Sequence, residues 1–241
     1  VAIGSLAMSG ALAGDGADGS VAIGKSALAA LTSGAGNIAV GYQAMDSLTE
    51  GSQNLAIGVG AIGNASHVDT DYNICIGNGT GQNFGSVAID NTVLIGYDAG
   101  AGINTATASK TVAIGRSALT SLTLGVGNTA VGYHAGASIT TSTNCTFIGY
   151  QAGSDKNSDT NLPISCTYIG SRSGENIDDG VGANTAVGYL ALFGATSAGN
   201  TAANNVAVGV DSLFGITSGG SNTAVGRTAL AALTTGDNNV A

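Results

Sequence analysis

Charge, proline and tryptophan are nearly missing from this chain, and several classes of protein are excluded by what else it lacks. Its 241 residues hold one proline, no tryptophan and only 9% charged side chains. No apolar run approaches the roughly 18 residues of a membrane-spanning helix, so no membrane insertion by this segment is expected. A basic excess is missing too. Six Lys and Arg against 15 Asp and Glu leave a net charge of −9, which argues against a nucleic-acid partner, whose phosphates demand a basic face. Cysteine stops at three residues, Cys75, Cys145 and Cys166, too few for a disulfide scaffold and without metal-ligand spacing. Glycine is abundant, at 40 residues, yet does not fall at every third place, which excludes collagen. An apolar content of 44% is too high for disorder. No secretory leader opens the chain. It starts and stops within a repeat, as a piece of a longer fibrous polypeptide would, so the missing leader carries no information.

What is present is a tag. A short aliphatic run ending in glycine returns thirteen times, with its glycine at Gly4, Gly24, Gly41, Gly58, Gly77, Gly96, Gly115, Gly132, Gly149, Gly170, Gly188, Gly209 and Gly226. The intervals lie between 17 and 21 residues, a period that marks a solenoid. Taking that glycine as position zero, position −1 is always Ile or Val, and position −3 is Val, Ile, Leu or Thr. Residues two apart share one face of a β-strand, and β-branched side chains suit it. Position −2 is mostly alanine, with Cys75, Leu94, Phe147 and Tyr168 as exceptions. The opposite face is therefore small and flat, and both faces read as covered. The expected architecture is one all-β array over residues 1–241: a parallel β-solenoid of about 13 turns with 17–21-residue repeats. Twelve stacking steps of about 4.8 Å make a rod of roughly 58 Å. The Ala and Gly face invites close approach of another backbone, and an obligate oligomer along the rod axis follows.

Position −4 is asparagine at Asn37, Asn54, Asn73, Asn128, Asn184, Asn205, Asn222 and Asn239. Parallel stacking sets these one above another in a hydrogen-bonded ladder. Cys145 and Cys166 share position −4 in consecutive copies, as Phe147 and Tyr168 share position −2. Paired thiols or a disulfide both fit that placement. After the glycine, position +3 is alanine in ten copies, and position +4 is either large and apolar, as at Leu28, Met45 and Leu119, or glycine, as at Gly81, Gly100 and Gly153. Position +7 is apolar and position +8 often threonine. Leu28 and Leu31 sit three apart, which also suits a helical turn. Seventeen residues hardly hold a strand, a helix and two returns, so an all-β coil is favoured, with a short helical turn in the leucine copies left open.

Length variation enters after position +4, where loops belong. These insertions hold Asn64–Asp69, Asp155–Asn161, the single proline at Pro163 and Asn176–Asp179. Asp155-x-Asn157-x-Asp159 begins like a calcium loop, but lacks glycine at position six and Glu at position twelve. His67 and His134 are isolated, so no metal, cofactor or catalytic set is expected, and an enzyme is the least favoured class. Gly19 to Ser26 matches the phosphate-loop pattern G-x-x-x-x-G-K-S, yet its four middle residues are the repeat's own strand, so nucleotide binding is rejected. Position +1 carries Tyr42, Tyr97, Arg116, Tyr133, Tyr150 and Tyr189. Stacking places Tyr97, Arg116, Tyr133 and Tyr150 in one column, where cation–π contact is worth about 0.5–1 kcal/mol at an exposed site. Such a column packs the rod or a chain interface, or else it forms a glycan-contacting stripe, because aromatic faces suit sugar rings.

The unit running from Asn222 to Gly236, NTAVGRTALAALTTG, resembles the repeats of YadA-like heads of trimeric autotransporter adhesins, and more closely the NTAVGY…AL…TTG arrays of phage and viral tail-fibre proteins. The resemblance covers the whole chain. It implies a left-handed parallel β-roll, three chains per rod and attachment to a host or surface, through a glycan or protein receptor. It places the chain outside the cell, on a virion fibre or a cell surface. A tail-fibre shaft is the first reading and an adhesin head the second. The longer period departs from the adhesin-head pattern, and neither family brings catalytic residues. From a different class, the threonine columns at −3 and +8 suggest a ligand- or ice-binding solenoid, although the +8 column is broken.

Overall fold

In a computed structural model, the chain is all-β and forms a parallel β-solenoid. The structure describes residues 1–10, 17–65, 70–85, 88–154, 165–177, 183–195 and 200–241. Two compact units divide it, Val1–Val126 and Gly127–Ala241. The first contains β1 (Ala2–Ile3), β2 (Val21–Ile23), β3 (Ile38–Val40), β4 (Leu55–Ile57), β5 (Ile74–Ile76), β6 (Val93–Ile95) and β7 (Val112–Ile114). The second contains β8 (Thr129–Val131), β9 (Thr146–Ile148), β10 (Thr167–Ile169), β11 (Thr185–Val187), β12 (Val206–Val208) and β13 (Thr223–Val225).

Every tag is a strand, and strands stack in chain order with like residues opposite. Ala22 faces Ala39, Ala39 faces Ala56, and Ile57 faces Ile76. In the second unit Phe147 faces Tyr168 and Ala186 faces Ala207. Six such steps occur in the first unit and five in the second. The solenoid has about 11 turns rather than 13. A tag only begins a turn, and the turn closes where the chain returns to stack on itself.

Each strand ends because its glycine takes a conformation that side chains refuse. Gly41 has φ +144°, and a Cβ there would lie 2.3 Å from the carbonyl oxygen of Gly58 in the next turn. Past the glycine the chain coils through successive three-residue turns. The amides of Ala99, Ala101 and Ile103 bond the carbonyls of Gly96, Asp98 and Gly100. Positions +2 and +4 are left-handed throughout, as at Ser26 (φ 60°) and Leu28 (φ 50°). The leucine copies hold no helix; among the described residues the only helical turn is a short 3-10 segment at Ala106–Ala108. Alternating left-handed residues reverse the chain every two positions, and this turns a 17-residue loop back onto itself without helix.

The core is one line of side chains inside the coil. Alanines at −2 and +3, such as Ala22 and Ala27, are wholly buried, as are Leu28 at +4 and Leu31 at +7. Where +3 is not alanine, its hydroxyl is satisfied locally: Thr80, Ser173 and Ser212 donate to the carbonyls of Gly77, Gly170 and Gly209 at 2.9–3.0 Å.

Positions −2 and +4 share one space. Where −2 is alanine, +4 is large in every copy but one, the exception being Ala130 with Gly136. Where −2 is Leu94, Phe147 or Tyr168, +4 is Gly100, Gly153 or Gly174, and a Cβ on those glycines would meet that same large side chain at 2.7 Å or less. Close packing admits one large group per layer and leaves the choice of position open.

Candidate functional site

With alanine inside, the β-branched residues at −1 and −3 point outward. This corrects the expectation that the Ala and Gly face meets a second backbone, because that face is buried inside the chain's own coil; the other face is not covered by the chain itself. Ala56 is fully buried while Ile57 is 38% exposed; Ile38, Ile74, Ile148 and Ile169 behave like Ile57. Inside the coil each layer is filled from positions −2, +3, +4 and +7, as by Ala56, Ala61 and Ile62, and the bulkier −1 and −3 aliphatics are left on the outside. The outward face is also two-toned. In the first unit every −3 and −1 residue of β2 to β7 is Val, Ile or Leu, from Val21 and Ile23 to Val112 and Ile114. In the second unit −3 is Thr129, Thr146, Thr167, Thr185 and Thr223, with Val206 the exception.

The asparagine ladder is the polar seam beside this face. In the first unit Asn37 Oδ1 accepts the backbone and side-chain amides of Asn54 at 3.0 and 3.1 Å. Asn54 Oδ1 does the same for Asn73, both at 3.0 Å. Each side-chain amide also donates forward, to the carbonyl three residues before the next rung: Asn37 to Gly51, Asn54 to Thr70, Asn73 to Ile89, at 2.6–2.7 Å. Ser20 begins the seam and Thr92 extends it. In the second unit it runs Asn128, Cys145, Cys166, Asn184, Asn205, Asn222 and Asn239.

A second seam lies two residues earlier, at position −6. Here each amide donates to the side chain of the following turn: Ala35 to Ser52, Ser52 to Asp71, Asp71 to Asp90, Asp90 to Ser109. Gly220 donates to Asp237 in the same way. Sequence reasoning missed it. The run Ser, Asp, Asp, Ser at fixed offset was its only signal.

The +1 column is exposed and self-stacked. In the first unit Arg116 lies 5.5 Å over the ring of Tyr97, and Lys25 lies 5.9 Å over Tyr42. In the second, Tyr133 stacks on Tyr150 with centroids 5.4 Å apart and planes 8° from parallel, and on His134 at 4.1 Å. Outside this column, Phe193 and Phe214 at position +5 stack at 5.2 Å, with Arg172 over the buried Phe193. One ring face each of Tyr42, Tyr97 and Tyr150 is thus taken by a neighbouring cation or ring, and Tyr133 has two such neighbours. Edges and hydroxyls remain open to solvent, with Tyr97, Tyr150 and Tyr189 about half-exposed. Arg172 also pairs with the wholly buried Glu175, whose carboxylate holds the guanidinium more firmly protonated than usual.

Gly19 to Ser26 forms β2 and the turn after it, not a loop leading into a helix, and Lys25 is spent on Tyr42. His67, Pro163, Thr196, the Asp155–Asn157–Asp159 stretch, and parts of the insertions at 64–69 and 176–179 lie outside the described residues. Among the described residues, no three of His, Cys, Asp and Glu come together as a metal site, and no helix is long and apolar enough to cross a membrane. Compared with family models, with curated proteins and with solved structures, the chain matches none.

Proposed function

We propose that this chain is a stretch of an attachment fibre: a left-handed β-roll that packs with two further copies and carries no reaction of its own. The half-exposed Ile and Val columns at −1 and −3 carry this reading. Contiguous aliphatic surface along successive turns is more than a soluble monomer keeps in water, and three copies meeting along their axes would cover it. Few charges elsewhere on the coil support the same conclusion. The fibre is read as extracellular, on a virion or a cell surface. A phage or viral tail-fibre shaft is favoured, and a bacterial trimeric autotransporter head is the alternative. Ile57→Asp with Ile76→Asp is the test. The doubly substituted chain should run as a monomer with unchanged β circular dichroism, whereas an oligomer of unchanged size would refute the contact.

The receptor side is the outer columns, toward a host glycan or protein. In the first unit contact runs through Tyr97 beside Arg116, and in the second through Tyr133 and Tyr150, by edges, hydroxyls and the ring faces that no neighbour covers. Tyr133→Ala with Tyr150→Ala should abolish binding on a glycan array or to host cells while the coil stays folded. Unchanged binding would remove the stripe from the account. A second reading, ice binding, draws on the outward threonines at −3 in the second unit. At +8, however, Thr32 and Thr217 give their hydroxyls to the carbonyls of Thr49 and Thr234. A thermal-hysteresis assay decides that reading.

A further inference from the structure

The asparagine seam of the second unit is interrupted at two successive rungs, where Cys145 and Cys166 replace asparagine. Both are wholly buried thiols. They precede strands that pair in register, with Thr146 opposite Thr167, so the two cysteines face one another across one turn. Residues so placed lie about 4.8 Å apart, within the Cα separations that a disulfide spans and slightly beyond its usual Cβ separation. The thiols serve the seam poorly as they stand. The amides of Cys166 and Asn184 reach Cys145 Sγ and Cys166 Sγ at 3.4 Å, weak acceptors where the other rungs offer an amide oxygen. Cys75, the third thiol, sits at position −2 of β5 in the other unit.

We propose that Cys145 and Cys166 form a disulfide between consecutive turns when the chain folds in an oxidising medium, replacing a hydrogen-bonded rung by a covalent one. It would close the 21-residue repeat, equal longest in the chain. The reaction is thiol–disulfide exchange with a low-molecular-weight disulfide. The Cys166 thiolate attacks one sulfur of the oxidant and releases its first thiol. Cys145 sulfur then attacks the mixed disulfide at Cys166 and releases the second, the proton of Cys145 passing to the departing thiolate. Two cysteine thiols are oxidised and one small disulfide is reduced to two thiols. The pair is polarised for this order. Interaction between the two thiols lowers Cys166 to about 7, and the same interaction, with burial, raises Cys145.

The test refolds the full chain in a mixture of oxidised and reduced glutathione, and in dithiothreitol alone. Thiols titrated in denaturant should fall from three to one in the first sample, with peptide mapping joining Cys145 to Cys166. The oxidised form should melt about 5–10 °C higher than the reduced one. Cys75→Ala should leave the cross-link intact, while Cys145→Ser and Cys166→Ser should each abolish it. Three titratable thiols after oxidative refolding would overturn the proposal, as would links that join separate chains or include Cys75.

Discussion

Leu28 and Leu119 hold φ near +50°, a backbone state that costs an L-residue about 1–2 kcal/mol. They stay there because their side chains then fill the centre of the coil, where burial of a leucine returns about 1.5–3 kcal/mol. The zero-position glycine has no such recourse. At Gly58, φ is +139° and an added Cβ would lie 2.3 Å from the Gly77 carbonyl oxygen, whereas at Gly60 φ is +62° and the space is open. Gly58→Ala should therefore cost at least about 3 kcal/mol, and Gly60→Ala only about 1. Urea denaturation of the two variants measures the difference, and equal losses would contradict the close stacking. Asn54 makes a similar case for the seam. Its replacement by alanine strands the Thr70 carbonyl and the Asn73 amide inside the coil, and should cost about 2–4 kcal/mol. Serine there should restore little, since it cannot bridge both neighbours.

The element that repeats is a three-residue strand followed by turns, and the sequence revealed parts of it unevenly. Strand position and register were legible, because the tag and the asparagine keep fixed offsets that only stacking explains. Strand orientation was not. In Val-Ala-Ile both faces are apolar, so alternation has no polar side to mark the outside, and what decides is the width of a coil that the sequence does not state. The left-handed residues at +2 were equally silent, since Ser26, Gln43, Asp98, His134 and Arg172 share no side-chain property that marks φ > 0. The exchange between positions −2 and +4 was on the page as two sets of exceptions, Leu94, Phe147 and Tyr168 against Gly100, Gly153 and Gly174. Only the packed layer shows them to be one rule. It predicts coupling. Ala113→Leu alone overfills its layer and Leu119→Gly alone empties it, each at a cost of about 2–4 kcal/mol. Together they reproduce the Leu94–Gly100 layer and should recover at least about 2 kcal/mol in a double-mutant cycle. Additive losses would contradict the shared space.

At the scale of the whole molecule, the chain by itself buries its alanine columns and leaves many of its Ile and Val side chains at −1 and −3 more than a third exposed. Hydrogen bonds cannot resolve that imbalance, since the seams already use the polar groups at the corners. Burial of the Ile and Val columns by further copies, as proposed, would resolve it at about 25 cal/mol for each square ångström removed from water. The change from aliphatic to threonine at −3 then predicts a difference between the units. Contacts along β2 to β7 should be dry and strong, while those along β8 to β13 should be weaker and hydrated. Hydrogen exchange on the assembled chain should accordingly protect strands such as Leu55–Ile57 longer than Thr185–Val187. The most direct measurement is the mass of the 23.1 kDa chain at sedimentation equilibrium. The account requires three copies, about 69 kDa, held down to micromolar concentration. A stable 23.1 kDa monomer at that concentration, its Ile and Val columns open to water, would contradict it.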